Sequence, residues 1–114
     1  MNLLDTCIVI EMLREKKQRQ GIISIITVAE ILRGINAQKR PAIKRLLAES
    51  FAVLNLDTTV VEKYCDLYSN LKKQGSLLPD ADLFIAATAI AHDLTLETTD
   101  THFQRLKSNG LKLK

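Results

Sequence analysis

The chain has 114 residues, of which 46% are hydrophobic and 25% charged, the balance of one ordinary globular domain over residues 1–114. No apolar run approaches the roughly 20 residues of a membrane span and no signal peptide is evident, so we expect a cytoplasmic protein without a membrane anchor. The formal net charge of +3 says little about partners by itself.

The first part of the chain alternates short apolar runs with helical patterns. An apolar run over residues 1–4 stops at the carboxylate of Asp5, which predicts a strand, a turn and a short helix. The β-branched segment Ile22–Ile26 then predicts a buried parallel strand. Thr27 and Glu30 have the spacing of a helix capping box, so we expect a second helix to begin at Thr27.

The middle of the chain continues the alternation. Pro41 suits the first turn of a third helix, and residues 51–56 predict the next strand. Thr59 and Glu62 repeat the capping-box spacing at the start of a long helix. Gly75, which follows two lysines, is predicted to end that helix.

The most buried helix is predicted after Pro79. Apolar residues recur at helical spacing from Leu83 to Leu94, and the alanines among them favour close packing on a sheet. Pro79 stops any earlier helix, so Asp80 is the expected N-cap. Asp82 then falls in the first turn.

Two further strands complete the pattern. Residues 94–98 predict a fourth strand, a short helical turn follows around Phe103, and residues 111–114 predict an edge strand. Strands separated by helices throughout indicate an α/β fold with a parallel sheet and right-handed crossovers. Periodicity does not give the strand order.

Four carboxylates fall at strand ends or near helix starts. Each has a structural explanation when taken singly, as a turn former, a helix cap or a complement to the helix dipole. Ligand sites in open α/β sheets lie beyond the carboxyl ends of the strands, so we expect the four to share one site. They are Asp5, Glu30, Asp82 and Asp100.

Oxygen ligands without a His or Cys cluster select a hard cation, which predicts Mg²⁺ or Mn²⁺ rather than zinc. Such a site suits metal-assisted hydrolysis of a phosphodiester. Cys7 and Cys65 lie in apolar segments without metal-type spacing, and we interpret both as reduced core residues. His92 and His102 are interpreted as surface or loop residues.

Basic residues fall into two groups that either contact phosphates or form an ordinary solvated surface, the interpretation favoured here. Trp is absent, and Tyr64 and Tyr68 lie on an apolar helix stripe, so no aromatic ladder for base stacking is visible. The two basic groups are Arg14, Lys16, Lys17 and Arg19, and Arg33, Lys39, Arg40, Lys44 and Arg45.

Four separated segments resemble, in order, the motifs of the PIN-domain ribonucleases, the family that includes VapC-type toxins. The resemblance extends over essentially the whole chain and implies a single PIN domain with a five-stranded parallel sheet ordered 3-2-1-4-5 and flanked by helices. The segments are Leu4-Asp5-Thr6, Thr27 to Glu30 with Gly34, Asp82 to Ala87, and Thr98 to Phe103.

The resemblance also implies roles for residues. Asp5, Glu30, Asp82 and Asp100 would form the catalytic acidic quartet, and the metal ligands among them would be Asp5, Asp82 and Asp100. Thr6 would support Asp5, and Thr98 would help hold the last loop. His102 stands where many relatives carry another acid, so a fifth acidic ligand is not implied.

The implied function is a Mg²⁺- or Mn²⁺-dependent endoribonuclease, the toxin of a type II toxin–antitoxin pair. Its implied partners are an RNA substrate such as tRNA or rRNA, a cognate antitoxin and a second copy of the chain. The alternative is a PIN fold kept only for binding RNA or a partner, although the intact quartet argues against it.

A receiver domain of signalling proteins is a more distant alternative, since it is also a small α/β fold with acids and Mg²⁺ at the sheet edge. It needs two adjacent acids after the first strand, an acceptor Asp after the third and a Lys after the fifth. Asp5 stands alone, Asp57 precedes a predicted cap, and Lys114 is all that follows the last strand.

Overall fold

Five parallel strands form the centre of the molecule in the order β3-β2-β1-β4-β5. They are seen in a computed structural model that describes all 114 residues. The order confirms the predicted sheet, with β1 and β4 as the neighbours at which the order reverses. The strands are β1 Asn2–Leu4, β2 Gly21–Ser24, β3 Phe51–Leu54, β4 Thr95–Glu97 and β5 Lys112–Leu113.

Helices connect the strands and cover both faces of the sheet. The longest is α4, which ends at Gly75 as predicted, and the backbone of Gly75 is left-handed with φ 67°. No helix has the length and apolarity needed to cross a membrane. The helices are α1 Thr6–Glu15, α2 Ile25–Arg33, α3 Arg40–Ser50, α4 Thr58–Gln74 and α5 Asp80–Ala91, followed by a 3₁₀ helix at Thr101–Asn109.

Two hydrophobic clusters hold the layers together. Leu3 of β1 belongs to the cluster beneath α4, α5 and the 3₁₀ helix, whereas Leu4 belongs to the cluster beneath α1, α2 and α3. Successive side chains of a strand point to opposite faces, so β1 anchors both clusters. Helix α5 has six fully buried residues, which confirms the prediction that it is the most buried helix.

Three predicted helix caps are wrong. Another side chain caps two of these helices, and no side chain caps the third. The Ser24 hydroxyl accepts from the Ile26 backbone N–H at 3.0 Å, so β2 ends and α2 begins before Thr27. Asp57 caps α4 in place of Thr59. Asp80 lies inside α5 and caps nothing; its carboxylate accepts from the Tyr64 hydroxyl at 2.7 Å.

The two cysteines are free, as predicted, but the prediction that they lie in the core is wrong. Cys7 is half-buried and Cys65 is exposed. Helix α4 directs Val60, Leu67 and Leu71 into the core, and this spacing leaves Cys65 on the outer face. The position of Cys65 within an apolar helical segment therefore did not show whether it lies on the buried face of that helix.

Candidate active site

Asp5 follows β1 and is held by both of its carboxylate oxygens, with only 5% of its surface exposed. Its Oδ1 accepts from the Thr6 backbone N–H at 2.8 Å, so Asp5 caps α1. Its Oδ2 accepts from the Thr98 hydroxyl at 2.6 Å and from the Cys7 thiol at 3.4 Å. These bonds fix the carboxylate between the ends of the two central strands.

Glu30 in α2 is tied to the start of α1. Its Oε1 accepts from the Thr6 hydroxyl at 2.7 Å, and the Thr6 and Thr27 hydroxyl oxygens lie 2.9 Å apart. A carboxylate only accepts, so the single Thr6 hydroxyl proton goes to Glu30 and fully buried Thr27 must donate to Thr6. Thr27, Thr6 and Glu30 thus form a hydrogen-bond relay in which each hydroxyl donates toward Glu30. Arg33 approaches the other Glu30 oxygen at 3.7 Å.

Asp100 caps the 3₁₀ helix after β4. Its Oδ1 accepts from the His102 backbone N–H at 2.9 Å, and the His102 ring Nδ1 lies 3.0 Å from the same oxygen. The Asp100 backbone N–H donates to the Thr98 hydroxyl at 3.0 Å. Thr98 therefore links Asp100 to Asp5.

Asp82, in the first turn of α5, lies within electrostatic reach of the other three acids. Burial, the largest cause, and then the negative charges of Asp5, Asp100 and Glu30 together raise its pKa to about 6. The positive charge of His102 opposes them. The structure thus brings the four predicted carboxylates together at the carboxyl edge of the sheet.

The PIN domain family matches residues 3–109 of the chain. The chain belongs to the PIN-domain family. Ribonuclease VapC1 of Methanocaldococcus jannaschii is 36% identical to it over 115 residues, which cover 97% of this chain and 85% of that protein. The resemblance drawn from the four sequence motifs is therefore confirmed.

Solved structures of similar fold include VapBC-1 from nontypeable Haemophilus influenzae, with a TM-score of 0.83 and 27% identity over 99% of this chain and 96% of that one. A toxin–antitoxin complex from Klebsiella pneumoniae gives a TM-score of 0.71 and 26% identity over 90% of each chain. The sheet order of this PIN domain agrees with that fold.

The two predicted supporting threonines are in the site of the PIN domain, with broader contacts than expected. Thr6 supports Asp5 through its backbone N–H but directs its hydroxyl to Glu30. Thr98 holds the last loop and also donates directly to Asp5. Thr27 and Cys7 were missed. The sequence predicts a helix cap at Thr27, which also begins the second PIN-like motif, and a core position for Cys7, so it assigns neither residue a role in the site.

The donor set of the cleft suits a hard divalent cation, because every candidate ligand is a carboxylate oxygen. No group of three or more His, Cys, Asp or Glu side chains is arranged so that it could hold a metal ion as a ready-made cage. Mg²⁺ ordinarily binds through one or two carboxylates and keeps several waters, so it does not require such a cage. The crowding of charge around Asp82 is the kind that a cation relieves.

Proposed function

We propose that this PIN domain is a divalent-metal-dependent endoribonuclease and the toxin of a toxin–antitoxin pair. The observation that carries the proposal is the convergence of four carboxylates at one edge of the sheet. Thr6 is hydrogen-bonded to both Asp5 and Glu30, Thr98 is hydrogen-bonded to both Asp5 and Asp100, and Asp82 lies within reach of their charges. The family's ribonuclease members and the toxin–antitoxin complexes of similar fold support the reaction and the biological role.

The four acids have two roles in the proposed chemistry. Asp5, Asp82 and Asp100 would supply the oxygens that hold Mg²⁺ or Mn²⁺, and Thr98 fixes the relative position of the Asp5 carboxylate and the Asp100 backbone by hydrogen bonds to both. When bound, the ion stabilises negative charge that develops on the scissile phosphate. Glu30, aimed by Thr6, accepts a hydrogen bond from the attacking water and orients it.

The proposed substrate is structured RNA, such as a loop of tRNA or rRNA, and the proposed protein partner is a cognate antitoxin. A cleft with four carboxylates attracts an arginine of a partner as it attracts a cation, because a bidentate guanidinium pair uses the same oxygens. An antitoxin that places a basic side chain there would displace the ion and inhibit cleavage.

A homodimer is also part of the proposal, through the outer face of α4 and the connection to α5. Val61 is 42% exposed and Leu77 44% exposed, and half-buried Tyr64 stacks on half-buried Phe84 with ring centroids 4.0 Å apart. A second copy would cover these apolar groups. Sedimentation that shows only monomer across micromolar concentrations would rule this assembly out.

Mapping of new RNA 5′ ends after induction in cells tests the function as a whole. Wild type should produce a discrete set of new ends and stop growth, whereas Glu30→Gln should do neither. Glu49→Gln, at an exposed position in α3, makes the same chemical change outside the cleft and should behave as wild type. If wild type and Glu30→Gln give the same ends and grow alike, a binding-only PIN domain replaces the ribonuclease.

A further inference from the structure

The two groups of basic side chains differ in how their charge is compensated. In the first group, Lys17 lies 2.6 Å from Glu15, and Arg19 makes two hydrogen bonds to Glu97 at 2.6 and 2.5 Å. Glu11 lies on the same helix, α1. Acids therefore accompany this group, and we interpret it as ordinary surface.

The second group carries uncompensated charge. Between Glu30 and Glu49 the chain has five basic residues and no acid. All five are exposed, and an ion pair forms only at Arg33, with Glu30 at 3.7 Å. We call this group the α2–α3 basic stretch; it consists of Arg33, Lys39, Arg40, Lys44 and Arg45.

The α2–α3 basic stretch begins at the rim of the acidic cleft. Helix α2 starts directly after β2, at the carboxyl edge, and Arg33 lies one turn beyond Glu30. Helix α3 packs against α2 and leads back to β3, which pairs with β2, and only the short connection over residues 34–39 separates Arg33 from Arg40. Arg40 and Lys44 are spaced i and i+4 and share one face of α3.

We propose that the α2–α3 basic stretch binds the phosphate backbone of the RNA that enters the cleft, an inference that rests on the proposed ribonuclease function. Four carboxylates repel a polyanion, so an RNA strand needs cations beside the cleft to approach it. Exposed Lys and Arg side chains meet this need without reading sequence, and they release counterions from the strand when they bind.

The test is the salt dependence of RNA binding by the full chain in chelator, which prevents metal-dependent cleavage. The variant Arg40→Gln/Lys44→Gln removes two charges from the stretch, and Lys16→Gln/Lys17→Gln removes two from the other group. With a labelled single-stranded RNA, the α3 variant should weaken binding roughly tenfold at about 50 mM salt and reduce the slope of log K against log salt by about 1.4. The Lys16/Lys17 variant should keep the wild-type slope.

Equal slopes for wild type and the α3 variant would overturn the proposal, as would equal losses in the two variants. Binding of a polyglutamate peptide, measured in the same way, tests whether the stretch binds an acidic protein partner instead. If the α3 variant loses the peptide but keeps the RNA, the stretch is a protein-binding surface and the proposal is wrong. RNA binding that depends on the stretch, without cleavage when metal is restored, would overturn the ribonuclease function and leave the surface standing.

Discussion

Asp82 in α5 and Glu97 at the end of β4 are both half-buried acids, yet the surroundings of their carboxylates are opposite. Glu97, the last residue of β4, accepts two hydrogen bonds from Arg19 and one from Asn2 at 3.2 Å. The Arg19 guanidinium lowers its pKa to about 2. Burial and three neighbouring acids raise the pKa of Asp82 to about 6. Glu97 has an ion-pair partner within the fold, whereas Asp82 forms no salt bridge within it.

This contrast distinguishes a structural carboxylate from one that belongs to a binding site. The folded state favours the charged form of Glu97 and disfavours that of Asp82. A fold retains a carboxylate whose charged form is disfavoured, as at Asp82, where a ligand relieves the unfavourable charge. The two residues should therefore respond in opposite ways to the loss of their charge.

The largest effect is expected on catalysis. Asp82→Asn should lower RNA cleavage by about 100-fold or more, because it removes a carboxylate charge that would hold the cation, and the cation would stabilise the negative charge that develops on the phosphate. Glu97→Gln should leave the rate within about twofold. Cleavage of a labelled RNA under single-turnover conditions measures both. Equal rates for Asp82→Asn and wild type would exclude Asp82 from the reaction.

A smaller loss is expected when the relay to Glu30 is cut. Thr27→Val keeps the volume but removes the donor to Thr6, so kcat should fall by about 10- to 100-fold. Thr88→Val is the matched control, since Thr88 is also fully buried but donates to the Phe84 backbone carbonyl at 2.7 Å. It should cost about 1 kcal/mol of stability and leave kcat unchanged.

Restoration of the hydroxyl distinguishes positioning from packing. Thr27→Ser should recover most of kcat, although it leaves a small cavity. A merely structural role for Thr27 would instead give equal losses of kcat in the Val variants at positions 27 and 88, in proportion to stability.

Without metal, loss of the Asp82 charge should stabilise the fold. At pH 7 the carboxylate is charged although its folded pKa of about 6 exceeds its ordinary value of 3.8, so the charge opposes folding. Asp82→Asn should add about 1 kcal/mol at pH 7, a value reduced for solvent screening, and the gain should vanish as pH falls from about 6 to below 3.8. Urea unfolding in chelator measures this gain.

Asp5→Asn is the contrasting change in that experiment. Both Asp5 oxygens accept hydrogen bonds, so an amide nitrogen would face a donor, and we expect a loss of about 1 kcal/mol. If Asp82→Asn and Asp5→Asn change the free energy of unfolding in the same direction, the charge of Asp82 does not oppose folding while the hydrogen bonds of Asp5 support it.

The smallest effect is expected at Glu97. Its folded pKa of about 2 lies below the ordinary value of 4.5, so the ion pair stabilises the fold above pH 4.5 and ceases to do so as pH falls toward 2. Glu97→Gln should cost about 0.5 to 1 kcal/mol at pH 7, because solvent screens the pair. The difference from wild type should disappear near pH 2; a constant difference would contradict the ion pair as its cause.

The sequence predicted more of the sheet than of the helix starts. The resemblance to the PIN-domain motifs implied the strand order, which periodicity had left open and which the structure confirms. The shared edge of the four acids followed from their places at strand ends or near helix starts in a parallel sheet. Local spacing could not decide between Ser24 and Thr27, or between Asp57 and Thr59, as caps. These pairs are chemically similar, and packing of the flanking strand selects one of them.

The hydrogen-bond partners within the site also could not be predicted from local sequence spacing. Thr6 meets Glu30 across 24 positions of sequence, and Thr98 meets Asp5 across 93. Such partners depend on how α1, α2 and the loop after β4 converge, and a motif gives only the residue types. The exposure of Cys65 likewise depends on the rotation of α4 against the sheet.

Calorimetric titration of the metal-free protein with Mn²⁺ tests most directly the claim that the quartet is a cation site. Wild type and Glu97→Gln should bind with the same affinity, whereas Asp82→Asn should bind at least about tenfold more weakly, because one ligand charge is lost. Equal affinity in all three proteins would contradict the account, since the ion would then bind outside the cleft that surrounds Asp82.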